Sequence, residues 1–93
     1  MKTTHLRAVE VDVMPKTATM EDGVLYVSRR FELAIHLCAC GCRGEAVTPF
    51  DKAAPGWELT EGDGGPTLRP SIGHQHWPCG SHYYVTDGRV VAC

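Results

Sequence analysis

No stretch of this sequence is long and apolar enough to span a bilayer, and no continuous apolar run opens it as a secretory leader would. Met1 to Val13 alternates polar and apolar residues instead. The sequence also lacks an excess of either charge: nine basic residues face eleven acidic ones, the net charge is −2, and Arg29-Arg30 is the one basic doublet. Phosphate neutralisation needs a basic stripe, so neither nucleic acid nor a membrane is an expected partner. Aromatic residues are few, with two Trp, three Tyr and two Phe among 93 residues. A chain of this length buries roughly 60–65% of its unfolded surface and is marginal on its core alone. Domains of this kind commonly borrow stability from a metal or from disulfides. Repeats, low-complexity tracts and a helix of ordinary length are missing too. The expectation is one all-β domain, residues 1–93, built of hairpins.

What the chain does have is thiols in a pattern. Cys38-Ala39-Cys40-Gly41-Cys42 is answered by Cys79-Gly80-Ser81-His82. Five cysteines cannot all pair, and in a reducing, cytoplasmic setting clustered thiols point to metal rather than disulfide. Residues i and i+2 of a straight strand stand about 6.5–7 Å apart, so the backbone must curl between these cysteines, which Gly41 permits. Cys38, Cys40, Cys42 and Cys79 form the expected ligand set for Zn2+, with His82 a competitor for the fourth place. The alternative to a metal is buried free thiols packing as small hydrophobes. Cys93 is left outside the site.

Coarse patterning gives strands throughout. Leu6 to Val13 places Val9, Val11 and Val13 on one face, and Glu21-Asp22-Gly23 turns the chain into Val24–Val27. In Phe31–Cys38, one face carries Phe31, Leu33, Ile35 and Leu37, the other Glu32, Ala34, His36 and Cys38, which aims His36 at the thiols. Glu45 to Phe50 completes a hairpin with the cysteines at its tip. Ala54 to Pro66 reads as mainly loop, with short strands at Trp57-Leu59 and Thr67–Arg69, and Pro70 to Pro78 reads as irregular. Asp87-Gly88 between alternating runs predicts a final hairpin over His82–Cys93.

Beside the thiols lies polar chemistry. A serine nucleophile needs a base within hydrogen-bond reach. Ser71 and Ser81 are candidate nucleophiles, and His36 and His82 candidate bases, where the metal does not claim them. Against this stand plainer roles: a turn residue for Ser71, solvated loop positions for His74 and His76, and core or loop anchors for Trp57 and Trp77. Cys79–His82 followed by Tyr83-Tyr84-Val85 also looks like the second ligand loop of a Rieske domain, which uses two Cys and two His. The first loop should then supply Cys-x-His, whereas this chain has Cys40-Gly41-Cys42. That favours a thiolate-rich zinc site over an iron–sulfur centre, with β-hairpins around the metal on a scaffold similar to a zinc ribbon or a Rieske domain.

Gly23–Ser28, His36–Cys42, Thr48-Pro49, Trp57, Leu68-x-Pro70-Ser71-Ile72-Gly73 and Cys79-x-Ser81-His82-Tyr83, spread over about residues 20–91, carry a resemblance to a known family. Together they resemble a small bacterial family of metal-binding domains encoded beside ubiquitin-like proteins and relatives of activating and conjugating enzymes. The resemblance implies a processing or deconjugating peptidase acting on a ubiquitin-like protein and its conjugates, with conjugating-enzyme relatives as further partners. Ser71 becomes the preferred nucleophile, with His36 or His82 as base and Ser81 as the alternative. A non-catalytic zinc adaptor, and a metal that itself catalyses through a bound water, are the rival readings.

Overall fold

The computed structural model describes residues 1–50, 56–73 and 78–93. The architecture is all-β, with two four-stranded sheets. The first holds β1 (Arg7–Glu10), β2 (Val24–Ser28), β3 (Leu33–Leu37) and β4 (Glu45–Pro49) in that spatial order, with β1 parallel to β2 and the rest antiparallel. The second holds β5 (Glu58–Gly62), β6 (Gly65–Gly73), β7 (His82–Thr86) and β8 (Arg89–Ala92), antiparallel throughout. A short 3-10 turn, Thr17–Thr19, is the only helical element among the described residues.

The two sheets share one core. Leu25, Val27, Ala34, Cys38, Ala39 and Ala46 of the first meet Leu68, Ile72, Tyr83 and Val85 of the second. A smaller cluster of Met20, Val24, Tyr26 and Leu37, backed by Val9, Val11, Met14 and Ile35, covers the opposite face of the first sheet. That double cover explains β2, buried at every position, whose run Val24-Leu25-Tyr26-Val27 is apolar on both faces. Trp57 packs half-buried against the main core, as an anchor should.

Several sequence expectations are corrected. The first strand stops at Glu10, and Val13 is 66% exposed rather than on the buried face. Phe31 lies outside β3, 53% exposed beneath the Arg30 guanidinium, because Glu32 takes a positive φ of 53° and the chain is still turning there. The glycine-rich stretch is not mainly loop but the β5–β6 hairpin. Its tip lies against the Asp87-Gly88 turn so closely that a Cβ on Gly88 would stand 2.5 Å from the Gly64 carbonyl oxygen. The glycines there serve close packing of two hairpin tips. The segment from Pro70 is also no irregular loop: β6 runs on to Gly73. The final hairpin is as Asp-Gly predicts, with φ of 49° at Asp87 and 79° at Gly88. The expectations for His74, His76 and Trp77 lie outside the described residues.

Candidate metal centre and serine–histidine pair

Three of the thiols sit on the β3–β4 hairpin loop. Cys38 N–H donates to the Gly44 carbonyl at 2.8 Å and Gly41 N–H to the Cys38 carbonyl at 3.1 Å, which winds the loop into a tight curl. Gly41 adopts φ +95°, a conformation a side chain would strain, and this is what gathers alternate cysteines instead of spreading them. Thr3 N–H pins the loop from outside through the Ala39 carbonyl at 2.9 Å. Cys79 arrives from the segment just before β7.

The four Sγ atoms of Cys38, Cys40, Cys42 and Cys79 all lie within 4.8 Å of one another. Cys38 Sγ is 3.4 Å from Cys40 Sγ and 4.0 Å from Cys79 Sγ. A tetrahedron with metal–sulfur bonds of about 2.3 Å has edges of about 3.8 Å, so the set has the size of a metal shell. None of these cysteines is disulfide-bonded. Neither described candidate histidine joins the set, since both imidazoles are engaged elsewhere, and the two-Cys, two-His pattern of a Rieske centre is not what converges here.

Ser81 is buried beside the sulfurs, its Oγ 3.0 Å from Cys38 Sγ and 3.4 Å from Cys79 Sγ. The Ser81 hydroxyl, then its backbone N–H, hold the Cys79 thiol down to about 6, a thiolate-favouring environment. Burial, with the Cys38 thiol, pushes Cys40 up. Cys42 is drawn down by the Gly44 backbone, but burial and the neighbouring thiols leave it raised overall. A metal ion, which binds thiolates, would pull all four down together. Ser81→Ala is expected to weaken metal retention about 10–100-fold while sparing turnover at saturating metal, measured by competition with a chromophoric chelator.

His36 is fully buried in the core, its Nε2 2.7 Å from Tyr83 Oη. The Ala39 N–H reaches the same phenol oxygen at 3.4 Å, so Tyr83 ties β3 and the cysteine loop to β7. Burial, above all, pushes the Tyr83 phenol up, keeping it a neutral hydrogen-bonding group. Tyr83→Phe is expected to cost about 1–3 kcal/mol of stability, read as a lower thermal midpoint.

The remaining candidates meet on the second sheet. Ser71 Oγ and His82 Nε2 are 2.7 Å apart. Strand register explains the encounter. Leu68 pairs with Val85 and Ile72 with Tyr83, so Arg69, Pro70 and Ser71 together oppose the single residue Tyr84. Such a bulge re-aims side chains and is common beside active sites. Leu68 and Ile72 stay in the core, while Ser71 is turned outward to the face of β7 that carries His82 and Tyr84. Gly73, directly opposite His82, has no side chain to block the imidazole. Cys93 N–H donates to the His82 carbonyl at 3.0 Å and fixes the backbone from the other side.

The chain has three serines. Ser28 is buried, with Phe31 N–H on its oxygen and its hydroxyl toward the Asp12 carbonyl. Ser81 faces the sulfurs, and Ser71 faces a histidine. Comparison with protein-family models matches residues 10–93 to a family described as "Bacterial ubiquitination-like system serine protease (BubE)". The chain belongs to this family. No curated protein and no solved structure matches it. The family description names a serine, and of the three serines here only Ser71 meets an imidazole among the described residues. Sequence reasoning had both residues of that pair, but the bulge that brings them together is invisible to it.

Proposed function

We propose that this protein is a zinc-stabilised serine peptidase that processes or deconjugates a bacterial ubiquitin-like protein, with Ser71 as nucleophile and His82 as general base. The observation that carries the reading is the 2.7 Å contact between Ser71 Oγ and His82 Nε2. His82 Nε2 accepts the hydroxyl proton as Ser71 Oγ attacks the scissile carbonyl carbon. The imidazolium then donates that proton to the departing amine, and water resolves the acyl-enzyme by the same route in reverse. His36, fully buried on Tyr83, serves the core, and Ser81 serves the thiolates.

The thiol set fits zinc in number, element and spacing. Bound there, zinc supplies cross-linking rather than Lewis-acid chemistry, because four thiolates close its shell. The chain's own contribution is the Cys79-Gly80-Ser81-His82 run, in which a ligand position and the base are three residues apart. Anchoring Cys79 therefore limits where His82 can go, and pre-positioning of this kind is what acyl transfer requires.

The test is cleavage of a bacterial ubiquitin-like protein, as a precursor and as a conjugate, followed by intact mass. Wild type should release the mature protein and Ser71→Ala should not. A stable complex with no turnover by wild type would replace this reading with the adaptor role.

A further inference from the structure

On the outer face of the second sheet, an open groove of about 770 Å³ is lined by Glu58, Arg69, Pro70, Tyr84, Thr86 and Val91. We infer that this groove is a specificity subsite that takes the apolar side chain of an extended substrate polypeptide, about two residues from the bond that Ser71 attacks. The inference rests on the serine peptidase reading and deepens it.

Three observations carry it. First, the groove adjoins the Ser71–His82 pair, since it is lined by Pro70, next to Ser71, and by Tyr84. Tyr84 opposes the Arg69–Ser71 bulge and lies two residues along β7 from His82, about 7 Å in a strand, or about two residues of extended peptide. Second, one wall of this open groove is apolar. Tyr84 and Val91 are cross-strand partners, 40% and 47% exposed, and they rank among the few large hydrophobic side chains left uncovered. Third, the cation in the groove is engaged and fixed. Arg69 donates to the Leu68 and Val85 carbonyls at 2.8 and 3.1 Å and to Thr86 Oγ1 at 2.9 Å, with its guanidinium 4.9 Å from the Tyr84 ring centroid. It thus stiffens Tyr84 into a wall, and a rigid apolar wall is what selects an apolar residue.

The experiment uses internally quenched peptides built on the C-terminal tail of a bacterial ubiquitin-like protein. Leu, Phe, Asp, Lys and Gly are placed in turn at each of the three positions on either side of the cleaved bond. Wild type should prefer Leu or Phe over Gly, Asp and Lys at one position by about tenfold or more in kcat/KM. In Tyr84→Ala, and independently in Val91→Ser, the apolar-to-glycine ratio at that position should collapse toward unity. A ratio retained in both variants, or no apolar preference at any position in wild type, overturns the groove. A fluorophosphonate probe, whose phosphorus is attacked by Ser71 Oγ with loss of fluoride, separates the two ideas. Wild type that labels at Ser71 but shows no groove-dependent ratio loses the subsite alone, and wild type that neither labels nor cleaves loses both.

Discussion

A variant carrying both Ser71→Ala and His82→Ala is expected to turn over no more slowly than Ser71→Ala alone. Each single change should lower kcat by roughly four to six orders of magnitude, because in the proposed mechanism nucleophile and base act as a unit. Additive losses would mean that the two residues contribute separately, and would dismantle the pair inferred from their 2.7 Å contact. The measurement is single-turnover cleavage of the ubiquitin-like precursor, with thermal melts showing that all three variants stay folded. They should, since Ser71 and His82 are only partly buried on the sheet surface and leave the Leu68, Ile72, Tyr83 and Val85 core untouched.

Removing the metal should have an effect of a different kind. Structural zinc binding of about 10–16 kcal/mol is as large as the whole stability of most small domains, about 5–15 kcal/mol. Chelation should therefore unfold the protein, with strand signal, activity and one zinc ion per chain lost in one transition. Cys79→Ala should do the same, since it takes away the one ligand position supplied by the second sheet. Activity that disappears while the strand signal persists would show a catalytic metal with an open position instead.

Much of the fold and of the thiol set is legible in the amino-acid sequence. The thiol set was readable because alternate cysteines are so poorly explained by packing, and the last hairpin because Asp-Gly favours the positive φ values found there. Residue types were enough to nominate Ser71 and His82. Their meeting was not readable. Pro70 and Gly73 are strong punctuators and make Ser71 look like a turn residue, yet both belong to β6, Pro70 within the three-against-one bulge and Gly73 beyond it, paired with His82. Phe31 misled for a related reason: its place in an alternating run suggested a buried face, but the positive φ at Glu32 delays the strand until Leu33. The glycines at 62, 64 and 65 suggested a loop because single-residue cues carry no record of the hairpin tip they pack against. Local signals marked the parts, and long-range pairing decided their use.

The division of the site between the two sheets has a consequence for synthesis. Cys38, Cys40 and Cys42 leave the ribosome with the first sheet, well before β6 delivers Ser71 and before Cys79 and His82 follow together. Three thiols on a finished hairpin can hold an ion only loosely, and the fourth position and the base emerge within three residues of each other. If the thiols hold zinc and His82 serves Ser71 as proposed, the step that seals the ion in is the step that hands Ser71 its base. On the proposed mechanism, a nascent chain carries no working peptidase until its second sheet has docked, so competence arrives late and all at once.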